Sequence, residues 1–254
     1  MKFFLAISFY LFLIGPFALA QEYSDPSDAY FTSRAASFVG YSIPYSIYTP
    51  PGVKDLRGLP IILALHGSGE AGSDGVLNTE HGIGPALRKF PERYQAIVVL
   101  PQLPKGKKWD SHLAENDPES PTIENLAMEI LKSVMIEYDS DLTRVYVTGN
   151  SLGGFATWDL ASQFPDFFAA AAPISGGGIP AVMAPKLASL PLYVAHGKLD
   201  LDVKFKFSQE MVDAVLDAGN PNLVFKAFRF HFHNVWDNTY GDENFTDWLF
   251  EQHR

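Results

Sequence analysis

The chain contains no cysteine among its 254 residues. That excludes disulfide frameworks, zinc held by cysteine, thiol nucleophiles and lipids linked through cysteine. Charge is also sparse, at 19% of residues, and cations are the minority: 19 Lys and Arg against 29 Asp and Glu leave a formal charge of −10. So acidic a balance argues against nonspecific affinity for nucleic acid or anionic membranes. No internal repeat, low-complexity tract or long linker interrupts the sequence. Beyond residue 20 no apolar run approaches the roughly 20 residues that a membrane span needs. What remains is a globular composition, 47% hydrophobic with 20 Gly and 18 Pro. A chain of this length suits one generous domain and can bury roughly 70–75% of its unfolded surface.

Residues 1–20 read as a secretory signal. Lys2 is a minimal positive start, Phe3 to Ile14 is apolar, Gly15-Pro16 breaks the run, and Ala18-Leu19-Ala20 suits cleavage before Gln21. The expected location is therefore secreted or periplasmic. Residues 21–37 are polar and read as an N-terminal extension; residues 38–254 read as the folded domain. Phe38–Tyr48 alternates apolar and polar residues, as a half-buried hairpin or edge strand would. Ile61–Leu65, Ala96–Leu100, Val145–Thr148, Phe168–Ile174, Leu192–Ala195 and Leu223–Phe230 are short apolar runs, suited to strands buried on both faces of a parallel sheet. Helical spacing fills Thr122–Tyr138, with Ser120-Pro121 as a start signal, and also Leu152–Phe164, Phe205–Ala218 and Asn244–His253. Strands alternating with helices predict an α/β fold with a mostly parallel central sheet and helices on both faces. The loops 103–121 and 175–191 have room for function.

Gly149-Asn150-Ser151-Leu152-Gly153 is a G-x-S-x-G motif, with a strand signal running into it and a helix signal running out. Such a turn is so tight that the residues two before and two after the serine must lack bulk. It lifts the hydroxyl above the sheet edge and aims a helix N-terminus, with the Leu152 N–H, at whatever oxygen the serine attacks. A second glycine turn, His66-Gly67-Ser68-Gly69-Glu70, follows the strand at 61–65. Its position fits a second oxyanion donor, with Ser68 N–H the candidate and Gly69 next. A serine hydroxyl needs a base in contact, and that base needs an orienting acid. The histidines beyond Ser151 are His196, His231, His233 and His253. His196 ends a strand and reads as a turn residue, and His253 lies at the frayed end. A loop starting near Phe232 would free His233 to reach over the sheet edge, which favours it over His231. Asp200 and Asp202 both follow a strand end, where active sites of α/β sheets lie; the other one would cap the helix beginning near Val203.

LHGSGEAG at 65–72, PQ and W at 101–109, RVYVTGNSLGGFATWDLASQFPDFFAAAAPISGG at 144–177, HGKLDLDV at 196–203 and HFHNVWDNTY at 231–240 form a set. Together they resemble the secreted α/β-hydrolase esterases related to polyhydroxybutyrate depolymerases, feruloyl and acetylxylan esterases and the phospholipase/carboxylesterase group, which includes members described as peptidases. The resemblance implies an α/β-hydrolase fold without a large lid domain and a Ser–Asp–His triad of Ser151, Asp200 and His233. HG-x-x-D-x-x-V favours Asp200 over Asp202, and H-x-x-W-x-x-x-Y favours His233 over His231. It implies an oxyanion hole from Ser68 and Leu152, and no cofactor. One departure stands out: the elbow reads GNSLGG where many relatives have GLSMGG, so Asn150 and Leu152 could reshape the acyl pocket.

Trp109, in the long loop, is a candidate cleft wall, and Trp236 should pack beside His233. Asn150, Trp109 and Trp236 are thus the candidate substrate contacts. Trp158, on the helix after the elbow, reads as core. The H-x-H pair at 231–233 lacks a third ligand, and Asp139-Ser140-Asp141 lacks the Gly and Glu of a calcium loop, so no metal is expected. The leading reading is a serine hydrolase of carboxylic esters, with short-chain or aromatic acyl groups on a small molecule or a polymer. A serine peptidase on the same residues, or a binding module on a hydrolase fold, are the alternatives.

Overall fold

A computed structural model describes residues 30–38, 41–109 and 122–254. The expected signal at 1–20, the first part of the expected extension, and residues 110–121 of the long loop with its Ser120-Pro121 signal lie outside the described residues. The strands in chain order are β1 (Phe31–Phe38), β2 (Tyr41–Tyr48), β3 (Ile61–Leu65), β4 (Ile97–Pro101), β5 (Val145–Asn150), β6 (Ala170–Ile174), β7 (Leu192–Gly197) and β8 (Leu223–Phe228). They form one sheet in the spatial order β1-β2-β4-β3-β5-β6-β7-β8. β2 is antiparallel to β1 and β4, and every other neighbouring pair is parallel. The helices are α1 (Gly84–Lys89), α2 (Ile123–Glu137), α3 (Leu152–Gln163), α4 (Pro180–Met183), α5 (Lys206–Asp217), α6 (Trp236–Tyr240) and α7 (Glu243–Phe250).

The strand period of two divides the core between the faces. Ile61, Leu63 and Leu65 of β3 point to one side, where Leu126 and Ile130 of α2, Trp158 and Leu160 of α3, and Met211 and Val215 of α5 cover them. Ile62 and Ala64 point to the other, beneath Leu87 of α1, Tyr240 of α6 and Phe245 and Leu249 of α7. Every residue of β3 to β7 is buried, which is why these strands read as continuous apolar runs. Trp158 is fully buried. α2 starts at Thr122, whose side chain accepts the Asn125 N–H at 3.2 Å. Residues 175–191 do not stand free. They fold as α4 and a 3₁₀ turn, with Met183, Ala184 and Leu187 in the core.

The structure alters three expectations. Residues 31–37, read as extension, belong to β1, which pairs with β2 along its whole length from Phe31 opposite Tyr48 to Phe38 opposite Tyr41. β1 is an edge strand of intermediate and exposed residues, so it lacks the apolar signal of a buried strand. β8, read as buried on both faces, is the opposite edge and none of its residues is fully buried. α5 begins at Lys206 without a side-chain cap, so Asp202 does not serve as one. Among the described residues, no helix is long and apolar enough to cross a membrane.

Candidate active site

Ser151 is the single residue between β5 and α3, with φ 55° and ψ −118°. For a non-glycine residue this conformation costs on the order of 1–3 kcal/mol, so its surroundings must impose it. They do so through backbone hydrogen bonds. Ser151 N–H donates to the Ile174 carbonyl at 2.9 Å, and the Ser151 carbonyl accepts from Gly154 at 2.9 Å and Phe155 at 3.2 Å. The flanking glycines are sterically required. A Cβ on Gly149 would stand 2.5 Å from the Gly153 carbonyl oxygen, and one on Gly153 would overlap the Leu65 carbonyl oxygen. The turn is pressed onto the end of β3, which brings the residues after β3 to the serine.

His233 lies in the loop after β8, and its Nε2 is 2.9 Å from Ser151 Oγ. Its Nδ1 is 2.6 Å from Asp200 Oδ2. A carboxylate oxygen accepts, so Nδ1 carries the proton and Nε2 is left to take one from the serine hydroxyl. The His233 carbonyl accepts from Ser175 Oγ at 2.9 Å, which anchors the loop, and the Trp236 ring stands edge-on to the imidazole at 5.2 Å. Asp200 has a fully buried side chain. Its Oδ1 accepts the N–H groups of Asp202 and Val203, each at 2.9 Å. Its Oδ2 also meets His196 Nε2 at 3.0 Å. Asp202 is exposed, and its carboxylate lies within 4.8 Å of Asp200 and His233. These three could in principle surround a cation, but Asp200 already meets N–H donors at both oxygens. His231 supplies its backbone instead of its ring: its carbonyl accepts the Leu199 N–H at 3.0 Å, tying together the loops that carry Asp200 and His233.

On the other side of the serine, a Cβ on Gly67 would lie 3.4 Å from Ser151 Cβ. The 67–68 backbone therefore abuts the serine. Ser68 and Leu152 are the first residues of a 3₁₀ turn and of α3, positions whose N–H groups have no acceptor within their own turn. This loop is held by His66. Its Nε2 accepts the Leu103 N–H at 2.8 Å, so its proton sits on Nδ1, directed to the Gly67 carbonyl at 2.5 Å. Burial pushes the His66 pKa down to about 4, which keeps the ring neutral in that role.

Two expected substrate contacts are instead internal. Trp109 is only 5% exposed; its Nε1–H donates to the His66 carbonyl at 3.0 Å and its ring meets the His66 ring at 5.2 Å. Among the described residues it therefore braces the Gly67 loop and does not wall an open cleft. Asn150 is 4% exposed and is turned toward Gly67 and Gly82, lining a small cavity with Asn78, His81 and Tyr240. Its side chain is internal among the described residues, where the sequence reading had placed a substrate contact. Trp236 is half-buried beside His233, as expected. Sequence reading gave no role to His66 and treated His196 as a turn residue. The available signal was the repeated His-Gly pair at two strand ends. Gly197 is needed because a Cβ there would overlap the Phe232 carbonyl.

With this geometry in view, the comparisons with known proteins are specific. The Esterase family model matches residues 36–248. The chain belongs to that family. It is 33% identical over 103 residues to acetylxylan esterase A of Emericella nidulans, covering 39% of this chain and 32% of that one. It is 30% identical over 122 residues to poly(3-hydroxyalkanoate) depolymerase C of Paucimonas lemoignei, covering 46% and 28%. The chain thus spans about a third of the length of these curated relatives. A solved thermostable esterase superposes with a TM-score of 0.78 at 29% identity, over 89% of this chain and 64% of that one. The fold is that of the α/β hydrolases, mostly parallel and covered on both faces.

Proposed function

We propose that this esterase-family chain is a serine hydrolase of carboxylic esters. The observation that carries the reading is the hydrogen-bonded series Ser151–His233–Asp200, anchored on a backbone-strained serine at the carboxyl end of the sheet. Ser151 Oγ attacks the ester carbonyl carbon while His233 Nε2 takes its proton. Asp200 holds the imidazole in the Nδ1–H form and stabilises its cation. The Leu152 and Ser68 N–H groups donate to the developing oxyanion, and the protonated His233 hands its proton to the departing alcohol. Water, deprotonated by the same imidazole, then releases the acyl group.

The loops that carry Asp200 and His233 expose Leu201, Phe230 and Phe232 at 83%, 75% and 61%. An apolar rim of this kind supports esters with short or aromatic acyl groups, free or carried on a polymer. The signal layout of residues 1–20 supports secretion or export to a periplasm. A panel of nitrophenyl acyl esters tests the reading. Wild type turns them over, and Ser151→Ala loses on the order of 10⁶ in kcat while keeping its melting temperature. Activity retained in Ser151→Ala to within about tenfold would reject the assignment. A chromogenic peptide cleaved faster than every ester would move the reading to a peptidase.

A further inference from the structure

The second histidine on Asp200 plays no part in the scheme above, yet the structure invests heavily in it. His196 is fully buried at the end of β7. Its Nε2 faces two oxygens, Asp200 Oδ2 at 3.0 Å and the Val203 carbonyl at 2.9 Å. Both are acceptors, so Nε2 must carry a hydrogen. Its Nδ1 is 2.7 Å from Ser208 Oγ, which is also 2.9 Å from the Gly176 carbonyl. The serine has one hydroxyl hydrogen to give. Burial lowers the His196 pKa against the opposing pull of the Val203 carbonyl and Asp200, favouring the neutral ring. Nδ1 is then an acceptor, and the Ser208 hydroxyl turns to it. The ring is further held edge-on by Phe205 at 5.7 Å.

We infer that His196 is a positioning residue of the proposed reaction, whose Nε2–H fixes the Asp200 carboxylate toward His233 and shares its charge. The inference rests on the proposed serine hydrolase reading. With His196 in place, Asp200 meets four N–H donors: two backbone groups at Oδ1, and His233 and His196 at Oδ2. A carboxylate held this way cannot turn without leaving a buried donor unpaired. Sharing has a second effect. Each donor spreads the negative charge, so Asp200 holds the proton of the His233 imidazolium less tightly than an unshared carboxylate would. Removing the His196 donor should therefore slow the chemical step and also move the acid limb of kcat/KM to higher pH. The other ionisable groups on the elements around this pair are exposed Asp202, Lys198 and Lys204 on the Asp200 loop, and Arg229 and His231 on the His233 loop. Lys206, Glu210, Asp213 and Asp217 on α5, Lys226 on β8 and Asp237 on α6 also lie on these elements. None of these is altered by the substitutions below.

The experiment compares His196→Phe, which keeps a ring against Phe205 but has no donor, with His196→Gln, whose amide can place an N–H near the Nε2 position. For His196→Phe the expected result is a plateau kcat about tenfold lower or more, with KM within about twofold. Its acid limb should move upward by about half a pH unit or more. His196→Gln should restore most of the rate and return the limb to the wild-type position. Identical profiles for wild type and His196→Phe, or equal losses in both variants with the limb unmoved, would overturn the inference. Nitrogen-15 NMR on wild type and on Ser151→Ala gives a readout that needs neither turnover nor a variant at 196. His196 should be the neutral Nε2–H tautomer at neutral pH, with a pKa below the ordinary histidine value. An Nδ1–H tautomer, or a pKa at or above the ordinary histidine value, would equally overturn it. Because the NMR result stands whether or not esters are cleaved, failure of the hydrolase reading and failure of this inference are separable.

Discussion

Asp200 and Asp202 are two residues apart and meet opposite surroundings. The first is buried and receives N–H donors at both oxygens; the second is exposed. Asp200→Asn replaces an oxygen at His233 with an amide that can select the wrong imidazole tautomer, and a cost of roughly 10⁴ in kcat is expected. Asp202→Asn should stay within about threefold of wild type, since it removes only a solvated charge. Steady-state kinetics on the two variants decide the matter, and the reverse order would move the acid to 202. In the sequence both carboxylates fit the strand end equally. Only the motif spacing separated them, because burial and the Asx-type turn made by Oδ1 have no signature in residue type. His66 makes a related point about pH. Its folded-state pKa of about 4 lies below the ordinary 6.5. The unfolded chain therefore binds more protons between those values, and stability is lost as pH falls from about 6.5 to 4. The shift corresponds to about 3 kcal/mol. Asp141, held down to about 2 chiefly by the Thr143 hydroxyl, loses its contribution only below the ordinary carboxylate value of 3.8, so the windows do not overlap. Urea melts across pH 4 to 7 should show a steep acid loss in wild type and a flatter one in His66→Gln. Parallel curves would mean that His66 is not held neutral by burial.

The elements that the sequence revealed are those with an unambiguous environment. β3 through β7 are buried on both faces and read as apolar runs; α2 and α5 present one apolar face each and read at helical spacing. β1, α1 and α6 were not legible. β1 is an edge with mixed exposure, and the two helices are six and five residues long, too short to establish a period. The elbow was legible for a steric reason that stability measurements can check. Gly153→Ala would drive a methyl group into the Leu65 and His66 carbonyls, both backbone atoms that cannot swing aside. The helix must then lift off β3, and a loss of about 1–3 kcal/mol or more is expected. Gly69→Ala, where nothing lies within 4 Å and φ is ordinary, should change stability by less than about 0.5 kcal/mol. Thermal melts of the pair would refute the packing argument if the two substitutions cost the same.

Across the whole molecule, the proposed chemistry and one of the main chain-end restraints lie at opposite ends of the strands. Ser151, Asp200 and His233 all follow the carboxyl ends of β5, β7 and β8. Arg254 instead reaches the amino ends of β5 and β6. Its N–H donates to the Thr143 carbonyl at 2.9 Å, and its guanidinium donates to the carbonyls of Asp166 at 2.6 Å and Leu142 at 2.9 Å. These bonds fasten the segment after α7 across the two connections that feed the elbow strand and its neighbour. Arg254→Ala removes the side-chain donors but leaves the backbone bond. The groups are exposed, so water replaces much of what is lost, and a cost of no more than about 1 kcal/mol is expected. For a chain of this size that corresponds to a fall in Tm of about 2–4 °C. The expected signature is a lower Tm with kcat and KM unchanged, because the strand bodies between the two ends are fully buried and rigidly paired. A variant with unchanged Tm but reduced kcat would contradict that separation, and would mean that the amino ends of β5 and β6 are mechanically coupled to the elbow.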